Sequence, residues 1–170
     1  MGLDQSFYLR KWVSSIDWIK TNGGDLVDND EYDKLTYHFM PEDIDKHARH
    51  KSAHIEVKLI DLRKLYPLEE WLDANCEFAE GRDEFEISLD EFENLAKACR
   101  EVVQASERGL EDEYFTNRFF NYFGSVRDYT TRDIEYFVEQ LDKLADCIDD
   151  TLKLTKRDGF HYEIRYSRSY

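Results

Sequence analysis

Proline and glycine are scarce, two and seven among 170 residues, and no Pro- or Ser-rich stretch divides the chain. Their scarcity excludes collagen-like, low-complexity and linker-joined architectures and makes residues 1–170 a single domain of ordinary size. Cysteine is scarce too: Cys76, Cys99 and Cys147 are odd in number, far apart and free of any Cys-x-x-Cys pair. That pattern excludes a disulfide framework and predicts buried thiols in a reducing compartment. No run reaches the roughly 18 apolar residues of a membrane span. The start lacks the apolar stretch of a secretory signal, so a cytoplasmic protein is expected. Met1-Gly2-Leu3-Asp4-Gln5-Ser6 matches a myristoylation pattern, but Phe7-Tyr8-Leu9 directly after it reads as core.

Positive charge is in the minority. Lys and Arg number 23 against 38 Asp and Glu, a formal net charge of −15. A chain so acidic repels phosphates, which excludes nonspecific binding to nucleic acid or anionic membrane and favours a protein partner with a basic surface. There is no Gly-rich phosphate loop, no Gly-x-Ser-x-Gly and no His-Glu-x-x-His. No catalytic residue is assigned and no cofactor is implied.

What is present is a folding composition: 41% hydrophobic and 15% aromatic residues beside 36% charged. Disordered chains are poor in aromatics. Leu3–Val13 reads as a strand, and residues 14–20 fit either a strand or a short helix. The acidic run 28–33 reads as loop and Leu35–Met40 as a short strand. Pro41-Glu42-Asp43 opens a polar helix over 41–50. Ile55, Val57 and Leu59 alternate as in a strand. Leu62, Leu65, Leu68, Trp71 and Leu72 have helical spacing, interrupted at Pro67, which predicts a helix over 67–75.

Glu84–Ile87 reads as a short strand. Ser88 and Glu91 then form a capping box before the apolar stripe Leu89, Phe92, Leu95, Ala96, Cys99, Val102 and Val103, and Gly109 stops the helix. Thr130 and Thr131 are N-cap candidates for the strongest helix, with Ile134, Phe137, Val138, Leu141, Leu144, Ala145, Ile148 and Leu152 on one stripe. Phe160, Tyr162, Ile164 and Tyr166 alternate as in a half-buried antiparallel strand. The fold class is α+β. Three or four helices pack on an antiparallel or mixed sheet, with the N- and C-terminal strands in the sheet.

Several of these residues carry a resemblance. Met1-Gly2-Leu3-Asp4 leads into the aromatic strand Phe7-Tyr8-Leu9. Leu62-Arg63-Lys64-Leu65-Tyr66-Pro67-Leu68-Glu69-Glu70-Trp71-Leu72 parallels a motif of the form Trp-Arg-Lys-Ala-Asn-x-Ile-His-x-Trp-Phe. Tyr122-Phe123-Gly124-Ser125 precedes an acidic helix, and Tyr162–Tyr166 closes the chain. In these features the chain resembles a family of small phage and prophage proteins. Arg63, Lys64 and Trp71 match its central motif, while Leu62, Tyr66 and Glu69 stand where the family has Trp, Asn and His. The resemblance implies a phage or prophage origin, hence the host cytoplasm, and carries no catalytic role.

Charge is patterned along the chain. Residues 67–93 hold eleven acids against one base, and residues 128–150 hold eight against two. Glu69, Asp73 and Glu77 recur at four-residue spacing. Glu135, Glu139, Asp142, Asp146 and Asp149 form a stripe whose carboxylates recur every ~5–6 Å along a helix. Such a stripe imitates the charge spacing of a nucleic-acid strand and fits the basic groove of a nucleic-acid-handling protein. The expected function is therefore non-enzymatic: an accessory protein that binds, and so inhibits, a host defence or nucleic-acid-handling factor. The alternative is a small nucleotide- or metal-binding domain or enzyme with a pocket assembled from distant residues. Arg63 and Lys64 would take the phosphates and Tyr114, Phe119 and Tyr122 the base. His47, His50 and His54, spaced along a helix, are the candidate metal ligands. Residues 153–170 hold five bases and two acids, and their tyrosines fit either a small contact surface or sheet packing.

Overall fold

The computed structural model describes residues 2–14, 28, 30–36, 52–77, 79, 81–156 and 161–170. In chain order the elements are β1 (Asp4–Ser14), α1 (Asp30–Thr36), β2 (Ser52–Arg63), α2 (Tyr66–Asn75), β3 (Glu84–Ile87), α3 (Leu89–Ser106), α4 (Glu113–Phe123), α5 (Thr131–Thr155) and β4 (His161–Ser169). The four strands form one sheet in the order β2-β1-β4-β3, every neighbour antiparallel. The expected α+β class, with the first and last strands in the sheet, is what the chain adopts. The sheet is wholly antiparallel, and the helices among the described residues number five.

Period-two alternation decides which face of the sheet meets the helices. Gln5, Phe7, Leu9 and Val13 of β1 are buried, as are Tyr162, Ile164 and Tyr166 of β4 and Phe85 and Ile87 of β3. Phe7 stands at the centre, its ring 5.6 Å from Phe92 of α3 and 5.1 Å from Tyr166. Helices α3 and α5 lie along one another and present Phe92, Leu95, Cys99 and Val102, and Ile134, Phe137, Leu141, Leu144 and Ile148, to a common core. Helix α4 adds Phe115, Phe119 and Phe123, spaced by four residues and all fully buried. Both long helices start at the residues the pattern marked, with reciprocal capping boxes at Ser88/Glu91 and Thr130/Asp133.

One expectation is corrected. Residues 30–36 form α1 instead of loop and strand. Asp30 and Glu31 sit at its positive end, where acids favour a helix, and Tyr32 is buried beneath it. The helix expected over 67–75 is present as α2, Tyr66–Asn75. Leu62 ends β2, and Lys64, at φ 56°, turns the chain between the two elements. The aromatic-rich residues 110–126, to which the sequence pattern assigned no element, contain α4. The predicted helix over 41–50, the strand residues 37–40 and the ambiguous segment 15–20 lie outside the described residues.

Helix α2 has no side-chain cap of its own. Gln5, fully buried on β1, takes that part: its Oε1 accepts from the Leu65 N–H at 3.0 Å, and its Nε2 donates to the Leu65 carbonyl at 3.2 Å. A buried amide so satisfied ties the helix to the central strand. At the far side, Gly124 ends α4 at φ 80°, a backbone conformation that favours glycine, and a β-carbon there would also displace the Glu70 carboxylate of α2.

Candidate functional site

The acidic segment 67–93 is placed by three elements: the exposed side of α2, the short strand β3 and the capped start of α3. Trp71, Leu68 and Leu72 turn the apolar side of α2 inward, which leaves Asp73 exposed, and Glu77, in the turn just past the helix, is exposed as well. Alternation along β3 buries Phe85 and Ile87 and exposes Glu84 and Glu86. Glu77, Glu86, Glu91 and Glu163 then line one cleft of about 330 Å³ with His161, Tyr162 and Leu89. Glu91 is committed to the Ser88 N–H at 2.7 Å, and Glu163 faces Arg10 at 3.6 Å. Glu77 and Glu86 keep their carboxylates for solvent. The cleft offers carboxylates, an aromatic wall and an apolar edge, a chemistry suited to a Lys or Arg side chain with its aliphatic stem.

Glu69 is not part of that surface. Its side chain is only 14% exposed and accepts from Tyr166 Oη, Arg168 Nη1 and, at 2.5 Å, Gln5 Nε2. Arg168, 9% exposed, lies 3.8 Å from Asp73 and 3.9 Å from Asp83, and its backbone N–H donates to the Asp83 carbonyl at 2.8 Å. Burial, and then the Glu69 charge, hold the Tyr166 phenol well above its ordinary pKa, so it remains a donor. This is an internal lock between α2 and β4. Four-residue spacing could not separate Glu69 from Asp73, because the partner that draws it inward comes from the other end of the chain.

The α5 stripe is split in a comparable way. Glu135 and Glu139 stand exposed, and Glu139 takes Lys143 at 2.6 Å. Asp142 and Asp149 meet Arg100 of α3 at 3.0 Å each, and Asp146 meets the same guanidinium. Hydrogen bonds that Arg100 donates to Asp146 and Asp149 push its pKa still higher, so the cation is permanent. Arg100 was missed by sequence reasoning. It flanks the apolar stripe of α3, and only the packing of α3 along α5 brings it to three aspartates at once.

The residues of the alternative pocket do not converge. Arg63 is 73% exposed beside Asp4, 3.3 Å away, and lines a shallow cleft with Ser6, Tyr8 and Lys58. Lys64 is exposed at the turn before α2. Phe119 is in the core. Tyr122 donates to Glu101 at 2.9 Å, and Tyr114 lies under Arg108 and Arg118, at 4.3 and 5.3 Å from ring centre to guanidinium. The tyrosines of β4 divide likewise: Tyr162 and Tyr166 pack in the sheet, and Tyr170 is exposed.

His47 and His50 lie outside the described residues. His54 is on strand β2 instead of a helix, its ring tilted against Trp12 with centres 4.9 Å apart. Among the described residues no group of three His, Cys, Asp or Glu is arranged to hold a metal ion, and no helix is long and apolar enough to cross a membrane. Cys76 and Cys99 are buried and Cys147 is half-buried, all three as free thiols. Burial raises each thiol pKa, that of Cys76 to about 12. Thiolates are the reactive form. The folded protein should therefore react slowly with a disulfide reagent, Cys147 first, and denaturant should release all three thiols at once. Mass spectrometry of partially labelled protein reads the order.

A groove of about 510 Å³ between α3 and α5 was also invisible in the sequence. Ala96 and Leu152 floor it, and Lys97, Lys153 and Lys156 rim it with Glu93, Glu101 and Asp149. Its charges nearly balance, which sets it apart from the acidic cleft. The chain matches no protein-family model, no curated protein sequence and no solved structure.

Proposed function

We propose that this protein is a non-enzymatic binding protein that engages a basic surface of a protein partner through the acidic face of α2, β3 and the start of α3. The observation that carries the reading is the cleft lined by Glu77, Glu86, Glu91 and Glu163, in which Glu77 and Glu86 have no ion-pair partner among the described residues. On α5, by contrast, Arg100 and Lys143 already pair with four of the five carboxylates in the stripe and offset half of their charge. Nucleic-acid mimicry along α5 is accordingly the weaker form of the proposal. The resemblance to phage and prophage proteins suggests the setting: a host protein with a cationic groove, a defence or nucleic-acid-handling factor, blocked by occupation of that groove.

Complementary charge acts mainly on encounter rate and specificity, and added salt screens it. An arginine-rich peptide is a sufficient probe. Its binding, followed by fluorescence anisotropy, should weaken at least about tenfold in the double variant Glu77→Lys, Glu86→Lys, a loss of about 1.4 kcal/mol. The double variant Glu135→Lys, Glu139→Lys should change it less than threefold. Equal losses in the two variants would reduce the interaction to net charge and overturn the assignment of the site.

A further inference from the structure

Among the described residues, strand β2 is the long edge of the sheet, twelve residues paired to β1 on one side only. Strand β3, at the opposite edge, has four residues. Long edges invite further pairing, and natural proteins blunt them. Here the edge carries apolar side chains: Ile55 is 41% exposed and Val57 54%. Both lie opposite helix-side positions of β1, Val57 beside Leu9 and Ile55 beside Lys11, so they extend the apolar face past the cover the helices give. Between them Glu56 projects to the other face, as does Lys58, opposite Arg10 and Tyr8 respectively.

We infer that the outer edge of β2 pairs antiparallel with β2 of a second copy, about a twofold axis through Val57, joining two four-stranded sheets into one. The strand's own sequence selects that occupant. In an antiparallel pair, residues directly opposite share a face. A centre on Val57 sets Val57 against Val57 and Ile55 against Leu59 of the second copy on the apolar side. On the polar side it sets Glu56 against Lys58 of the second copy, twice by symmetry. A centre on Glu56 or on Lys58 would oppose like charges. A centre on Ile55 would match Val57 only with Ala53 and leave Lys58 facing Ser52. An isologous interface must be complementary to itself, and residues 55–59 meet that condition in one register. The one extra residue on this strand, Leu59 where the register jumps between Phe7 and Tyr8, is the last position this register uses; pairing with β1 resumes beyond it at Ile60.

Sedimentation equilibrium of the whole chain should give twice the 20.4 kDa chain mass. Val57→Lys, a change at an exposed side chain, should raise the dimer dissociation constant at least about tenfold with the melting temperature of the monomer unchanged. Register is tested in a Cys147→Ser background. Opposed β-strand positions bring α-carbons to about 4.5–5.5 Å, within the span of about 4.4–6.8 Å that a disulfide bridges. Val57→Cys should therefore cross-link to itself on oxidation, and Ile55→Cys should not. Should Val57→Lys fail to fold, the cysteine pair still decides. A monomer at every concentration, a dimer that Val57→Lys leaves intact, or self-cross-linking of Ile55→Cys in preference to Val57→Cys would each overturn the inference.

Discussion

Replacing Arg168 with alanine is expected to destabilise the fold by about 3 kcal/mol, the range seen when one partner of a buried ion pair is removed. The side chain is 9% exposed and binds Glu69, itself 14% exposed. Without the guanidinium, the Glu69 carboxylate stays in a pocket shared with Gln5 and the fully buried Tyr166, with their two donors left to support its charge. The loss should appear in urea titration as a lower midpoint with an unchanged slope, since little surface exposed on unfolding is altered. Adding Glu69→Gln should recover part of it, because the amide still accepts from Tyr166 and no charge is left alone. If Glu69 instead served a partner at the surface, Arg168→Ala would cost little stability and change binding.

Phe119→Ala should cost about 3–5 kcal/mol, as aromatic truncations in close-packed cores do. Phe119 is fully buried, with its ring 5.8 Å from Phe115 and 5.9 Å from Phe123. The removed volume has no flexible neighbour to refill it, since the rings on both sides are themselves buried. Thermal or urea denaturation measures the loss. Phe120, one residue on and 62% exposed, is the control, and its alanine variant should stay within about 0.5 kcal/mol of the parent. A ligand-stacking role for Phe119 would reverse the ranking, with little change in the free protein and a large change in ligand-bound stability.

These expectations show where sequence pattern and structure part company. Strands β1, β3 and β4 and helices α3 and α5 were legible because period, caps and stop signals agreed: Ser88 and Thr130 cap as their local sequences imply. Helix α4 was obscure because its aromatics cover more than one face, and α1 because seven residues give too little period to read. Site residues were read less well, for a physical reason. A carboxylate on a helix looks the same in sequence whether solvent or an arginine receives it. Glu69 and Asp73 lie one turn apart on α2, yet Arg168 draws only the first inside. Asp142, Asp146 and Asp149 formed a plausible stripe until Arg100, 42 residues before the first of them, closed on it. The net charge survives, but the surface available to a partner shifts from α5 toward β3 and the start of α3.

The edge of β2 teaches a related lesson. Alternation at Ile55, Val57 and Leu59 identified the strand. Leu59 packs against the core, and the exposure of Ile55 and Val57 makes the same alternation a statement about what lies beyond the edge.

The acidic cleft is the central claim, and chemical-shift mapping of the labelled protein during titration with an arginine-rich peptide tests it most directly. The account predicts saturable, salt-sensitive shifts centred on Glu77, Glu86, Ser88 and His161, with the backbone of α5 from Glu135 to Asp149 little changed. Shifts concentrated along α5, or spread evenly over every acidic surface without saturation, would contradict it.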